Sequence, residues 1–188
     1  YTISYTGDNL TVNTATLTVT AAAKSKTYGD ADPALTYATS GLKLTDTAGS
    51  VLTGALARAA GENVGTYAIN QGTLASNANY TISYTGDNLT VNTATLTVTA
   101  AAKSKTYGAG DPALTYGVSG LQYTDAVGDV LSGALARAAG ENVGTYAINQ
   151  GTLASNANYT ISYTGANLTI NTATLNLTIT ADNQSKTY

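Results

Sequence analysis

The phrase Tyr-Thr-Ile-Ser-Tyr-Thr-Gly begins at Tyr1, again at Tyr80 and again at Tyr159, a spacing of 79 residues each time. Residues 1–79 and 80–158 are identical at 69 of 79 positions, so any fold for this chain must be built from that unit. The period excludes the usual solenoids: β-helix coils are far shorter, and propeller blades or leucine-rich repeats are about half as long. A unit of 79 residues can bury a small core of its own. The unit is therefore a domain, repeated in tandem. Two full copies and the first thirty residues of a third are present, and the sequence reads as an excerpt from a longer array.

The linking stretch Leu89–Ala100, with counterparts from Leu10 and Leu168, is a run of strand-favouring residues with no Gly or Pro. Its apolar phase changes midway. Leu89 and Val91 occupy odd positions, whereas Leu96, Val98 and Ala100 occupy even ones. Successive side chains of a strand face opposite sides, so one half-buried strand cannot hold both sets. The predicted solution is a joint at which the chain leaves one core and enters the next. This places candidate functional positions at Asn13, Thr14 and Ala15, at Asn92, Thr93 and Ala94, and at Asn171, Thr172 and Ala173. The expected frame is the end of a preceding repeat at 1–15, repeat domains at 16–94 and 95–173, and the start of a following repeat at 174–188.

Within one repeat, Thr95–Ala101 alternates apolar residues with a solvated threonine face, and Lys103–Tyr107 continues extended. Gly108–Pro112 is a turn, and Ala113–Tyr116 a short strand. Asp125 is placed to cap one helical turn through Asp129. Val130–Ala139 fits helix or strand, and its β-rich neighbours favour strand. Asn142–Ile148, Gly151–Leu153 and Tyr159–Tyr163 are further strands, and Gly86-Asp-Asn88 (Gly165-Ala-Asn167 in the next copy) reads as a tight hairpin. Asn63-Val-Gly-Thr-Tyr67 is similar to the tyrosine corner of immunoglobulin-type sandwiches. The predicted class is all-β: tandem small sandwich-like domains, each with about six or seven short strands and room for one helical turn, linked head-to-tail into a rod. A β-grasp-like sheet with one short helix is the alternative. At strand lengths of about six residues, each repeat would add roughly 35–45 Å.

Chemistry is sparse. The chain has no Cys or His, which removes thiolate or histidine zinc sites and the common nucleophile triads. A net charge of −3 with no basic run argues against nucleic acid, and no apolar run is long enough to span a membrane. Asp30, Asp32 and Asp46 could supply oxygen ligands to Ca²⁺, but Ala109 replaces Asp30 in the second copy and the spacing fits turn residues better. Glu62 and Glu141 read as bonded to a turn backbone or paired with Arg58 and Arg137. Lys103 is the candidate for a Lys–Asn isopeptide crosslink. No cofactor and no enzymatic activity are expected.

The segments KSKTYGDADPALTY (Lys24–Tyr37) and KSKTYGAGDPALTY (Lys103–Tyr116) are followed at fixed spacing by Gly-Thr-Tyr and Asn-Tyr-Thr-Ile. In that order they resemble the MBG repeats of the YGX type. The resemblance implies a mostly-β, exported module found in tandem in very large bacterial surface and biofilm-matrix adhesins. It implies no catalytic residues. The function it suggests is an extracellular stalk whose partners are neighbouring repeats, with matrix polysaccharide or another adhesin copy as further candidates. The alternative is a glycan- or self-binding module acting through the variable segment Thr39–Thr53 against Val118–Ser132, where Leu44 is replaced by Tyr123.

Overall fold

A computed structural model describes residues 1–188. The chain divides into two compact units, Tyr1–Ala94 with Ala157–Thr160, and Thr95–Asn156 with Ile161–Tyr188. The first repeat contains β1 (Ala15–Ala21), β2 (Lys24–Thr27), β3 (Tyr37–Ser40), α1 (Ala48–Val51), β4 (Leu52–Thr53), β5 (Ala57–Arg58), β6 (Gly65–Asn70), β7 (Ala75–Ser76), β8 (Tyr80–Thr85) and β9 (Asp87–Asn92). These form a three-stranded sheet β3-β1-β8, a four-stranded sheet β2-β9-β6-β5 and a two-stranded sheet β4-β7. The fold is all-β in tandem repeats, with nine strands per repeat. Six of the nine have four or more residues, and the additional short pieces are two-residue bridges.

The central strand of the first sheet is β1, and its alternation explains its place. Leu17, Val19 and Ala21 are buried while Thr16 and Thr20 face outward. One cluster packs Leu17 and Val19 against Tyr80, Val51, Leu52 and Leu74; a second joins Ala21, Ile69 and Leu89, and Leu56 and Tyr84 touch both. Tyrosine fills space that Phe and Trp usually take, and its hydroxyls are partnered. The Tyr84 hydroxyl donates to the Ile69 carbonyl at 2.9 Å.

The pairing between the two ends of the repeat is parallel and continuous in register. In β1 and β8, Ala15 faces Tyr80 and Thr20 faces Thr85; in β2 and β9, Lys24 faces Leu89 and Thr27 faces Asn92. The segments 15–27 and 80–92 thus run side by side through two sheets, each residue opposite the one 65 positions later. This corrects the hairpin expected at Gly86-Asp-Asn88. β8 and β9 are not paired with each other; the chain steps from one sheet to the next at Gly86, where a side chain would meet the Ile69 carbonyl oxygen at 2.8 Å.

The second repeat contains β10 (Ala94–Ala100), β11 (Lys103–Thr106), β12 (Tyr116–Ser119), α2 (Val127–Val130), β13 (Leu131–Ser132), β14 (Ala136–Arg137), β15 (Gly144–Asn149), β16 (Ala154–Ser155), β17 (Tyr159–Thr164) and β18 (Ala166–Asn171). Its sheets are β12-β10-β17, β11-β18-β15-β14 and β13-β16. Gly165-Ala-Asn167 is likewise a step between sheets and not a hairpin.

Three local expectations are also corrected. The helical turn begins after Ala126, which makes no side-chain cap, so Asp125 is not the capping residue. In the first repeat Thr47 and Ser50 form a capping box at the same place. Val130–Ala139 is neither one strand nor one helix: Val130 ends α2, and Gly133 at φ +86° separates β13 from β14. A side chain at Gly133 would lie 2.2 Å from the Thr152 carbonyl oxygen, which forces the break. Finally, the strand expected at Ala113–Tyr116 begins only at Tyr116, beyond the Asp-Pro turn.

The Tyr67 hydroxyl donates to the Asn63 carbonyl at 2.7 Å, and Tyr146 does the same to Asn142 at 2.8 Å, the hydrogen bond of a tyrosine corner. Gly61, at φ +139°, makes room for that ring, since a Cβ there would lie 2.2 Å from Tyr67 Cε1. Leu89→Ala is expected to cost about 2–5 kcal/mol from an unfilled cavity. Gly61→Ala should cost about 1–3 kcal/mol, and Tyr67→Phe about 0.5–1.5 kcal/mol. Urea denaturation midpoints order the three; a Gly61→Ala chain as stable as the parent would show that the ring can move aside.

Candidate functional site

The strongest concentration of polar chemistry is a four-residue ionic cluster built in the same way in both repeats. Lys26 sits on the edge strand β2 with its side chain 3% exposed. Its ammonium donates to Asp32 Oδ1 at 2.7 Å, to Glu62 Oε2 at 2.5 Å and to the Asp30 carbonyl at 3.1 Å. Arg58, on β5, donates Nε to Asp32 Oδ2 at 2.5 Å and Nη2 to Glu62 Oε1. Its remaining nitrogen reaches the carbonyls of Ala59 and Gly61, and its guanidinium lies 5.5 Å from the Tyr67 ring centroid. In the second repeat Lys105 reaches Asp111 at 2.6 Å and Glu141 at 2.5 Å, and Arg137 holds the same two carboxylates.

All four members of the second cluster, and Lys26, Asp32 and Arg58 of the first, are pushed toward their charged forms. Hydrogen bonds from Arg137 and then Lys105 lower Asp111 from 3.8 to about 2, and Glu141 is lowered by Lys105 and Arg137. Asp32 is lowered by Arg58 and then Lys26. Burial opposes the charge on Lys26, but the bonds to Asp32 and Glu62 outweigh it and raise its pKa. General acid–base catalysis needs a group that can exchange its proton near the working pH. This cluster is arranged the opposite way. The same shifts disfavour amide formation between Lys26 and Asp32, which requires a neutral amine and a protonated carboxyl. The isopeptide candidate Lys103, like Lys24, lies two residues before the inward-facing lysine, is only partly buried and stands outside the cluster.

The expected joint residues lie at strand ends. Asn13 and Thr14 are exposed and precede β1, which Ala15 opens. Asn92 closes β9, with its amide 3.4 Å from the Lys26 carbonyl; Thr93 belongs to neither strand, and Ala94, only 2% exposed, opens β10. Asn171 closes β18, and Thr172 and Ala173 follow it outside any strand.

Leu44 and Tyr123 share an unusual backbone. They are the only non-glycine residues with positive φ, at +54° and +50°, and both side chains are exposed. The loop carrying Leu44 is held from beneath by Tyr80, whose hydroxyl accepts from the Lys43 N–H at 2.8 Å and donates to Asp46 Oδ2 at 2.7 Å. That bond to Asp46 raises the Tyr80 pKa. Leu44, Lys43 and Asp46 line a cleft of about 370 Å³ with Asn13, Thr14 and Ala15, so two separately expected groups meet there.

Lys26 and Asp32, the centre of the ionic cluster, were not recognised as a pair from sequence. The signal was present: both copies keep Lys26/Lys105, Asp32/Asp111, Arg58/Arg137 and Glu62/Glu141, whereas Asp30 becomes Ala109. The expected pairing of Glu62 with Arg58 is part of the cluster.

Two outcomes follow for the cluster. Asp32→Ala leaves a buried ammonium short of a partner, so it should destabilise the parent more than it destabilises a Lys26→Met chain, with a coupling of about 0.5–3 kcal/mol in a double-mutant cycle. The pH dependence has a definite sign. A lowered carboxylate pKa gives stability that is complete above its unfolded value and lost as pH falls through the folded one. For Asp111 that loss runs from 3.8 down to about 2. Thermal melts across this window should show the decline, and a flat profile would contradict the pairing. The raised lysines lose their contribution only at alkaline pH.

No curated protein and no solved structure matches the chain. The family described as MBG domain (YGX type) matches it twice, at residues 17–90 and 96–169. Each match begins inside the first strand of a repeat and ends inside its last. Together the two stretches take up most of the sequence, and the chain belongs to the MBG domain family of the YGX type.

Proposed function

We propose that this chain is a spacer segment of a long extracellular bacterial adhesin, a stalk that carries an adhesive region away from a cell surface or through a biofilm matrix. The carrying observation is the junction between the repeats: β9 ends at Asn92 and β10 begins at Ala94, with Thr93 alone between two strands of different sheets. A junction this short has none of the Gly/Ser spacer that makes a linker flexible. Near-identity of the two copies suits a protein whose adjustable property is its number of repeats. Membership of the MBG family is consistent with an adhesin-type extracellular repeat. The partners on this reading are neighbouring repeats, and the segment has no catalytic task. No helix is long and apolar enough to cross a membrane.

A second reading, adhesion by the repeats themselves, is favoured by Leu44 and Tyr123, exposed on a backbone that side chains rarely adopt. An exposed Tyr suits stacking on a sugar ring, and polysaccharide or a second adhesin copy would be the ligand.

Small-angle scattering on arrays of two, four and six repeats tests the first reading. The maximum dimension should grow by a constant step of roughly 35–45 Å per repeat; growth as the square root of repeat number would overturn it. Glycan-array and bead-aggregation measurements test the second, which requires saturable binding that Tyr123→Ala abolishes.

A further inference from the structure

We infer that each repeat is a tensile element, loaded in shear across the parallel seam between its first and last segments. Segment 15–27 and segment 80–92 are paired in parallel, and the pairing keeps one register through both sheets. The chain enters the seam at Ala15, opposite Tyr80, and leaves it at Asn92, opposite Thr27. The entry and exit points are therefore at opposite ends of the seam. Tension on the chain draws the first segment toward its N-terminus and the second toward its C-terminus, so the two slide along each other. In this geometry the bridging hydrogen bonds carry the load together and must fail together. Were entry and exit at the same end, the same bonds would open one at a time, each worth only about 0.5–1.5 kcal/mol net.

The flanks of the seam suit the same task. β1 is a central strand, held on its other side by antiparallel β3, and β9 is held on its other side by antiparallel β6. Neither loaded strand can peel from an edge. Two seam strands are edges: β2 is tied down by Lys26 to Asp32 and Glu62, and β8 by the Tyr80 hydroxyl, which accepts from the Lys43 N–H and donates to Asp46, and by the Tyr84 hydroxyl, which donates to the Ile69 carbonyl. The second repeat has the same arrangement, with β10 between β12 and β17 and β11 parallel to β18 from Lys103 against Leu168 to Thr106 against Asn171.

That such a load reaches the domain in use rests on the stalk reading; the resistance itself is a property of the fold. Single-molecule pulling on the whole chain decides the matter, because forced rupture reports the unfolding rate along the pulled direction. Pulled from its two ends, the chain should give two unfolding events, each releasing roughly 250 Å of contour. The chain has no cysteine, so handles can be moved to Thr14→Cys and Asn79→Cys, two exposed positions beside the same end of the seam. The first repeat should then open at a several-fold lower force. Melting curves of the parent and the dicysteine chain, measured without load, should coincide, which assigns the difference to direction and not to stability. Equal rupture forces in the two geometries would overturn the inference. That result would leave the stalk reading standing, since scattering from longer arrays decides that separately.

Discussion

Pairing between the beginning and the end of each repeat is the interaction on which the rest of this fold depends. Segments 15–27 and 80–92 supply the centre and one edge of the first sheet and one side of the second, and β3 and β6 pair directly with them. The dependence is visible in the sequence itself. Tyr1–Val12 and Tyr80–Val91 have the same residues, yet the second stretch forms β8 and β9 while the first forms no strand and is exposed. Residues 80–91 have partners 65 positions earlier; residues 1–12 have none within these 188 residues. Local propensity is equal in the two cases, so the partner decides. This is the strong context dependence expected of strands.

The ionic cluster answers a problem that this topology creates. Parallel pairing places β2 at the edge of its sheet, and its alternation directs Lys26 inward among groups that cannot solvate it fully. Two carboxylates and a backbone carbonyl meet the ammonium, and Arg58 orients the carboxylates in turn. No buried side-chain nitrogen or oxygen lacks a partner. A buried ion pair is seldom a large net source of stability. The four charges tie β2, β5 and the loops bearing Asp32 and Glu62 to one another, a placement that suits registration of these elements.

Much of the architecture was legible in the residues. The period and alternation pointed to tandem all-β repeats, β9 ends at Asn92 and β10 begins at Ala94 in a different sheet, and the Asn-Val-Gly-Thr-Tyr motif makes its corner hydrogen bond. What was not legible has a common cause. The parallel seam joins residues 65 apart, and neither turn chemistry nor alternation carries information about a partner so distant. Gly86 looked like a hairpin because a glycine between two strands usually is one; whether the strands pair or enter different sheets is set by β1 and β2. The two-residue strands around Gly133 were not legible for the same reason, since packing fixes them more than their own sequence; the single helical turn is where the sequence places it, with Ala126 and not Asp125 before it. At the candidate site, a lysine in a polar-looking strand such as Lys26 reads as solvated until its neighbours in space are known.

Near-identity of the repeats and the single residue between β9 and β10 bear on each other. A domain that used a particular ligand site would be free to diverge elsewhere, whereas these copies differ mostly in the loops around α1 and α2 and in the Gly-Asp-Pro turn. The seam, the ionic cluster and the tyrosine corner are the same in both, apart from two apolar or solvent-facing changes in the last strand, Asp87 to Ala166 and Val91 to Ile170. What is held constant is therefore the stretch 54–79 together with nearly all of the part through which the chain enters and leaves. The exposed side chains of Leu44 and Tyr123 take no part in the seam pairing, although their loop borders it through Tyr80. A surface can change there without weakening the seam, so a repeat of this design could acquire binding without losing its place in a load-bearing chain. Transmission of tension and recognition of a ligand then draw on different residues of the same small domain.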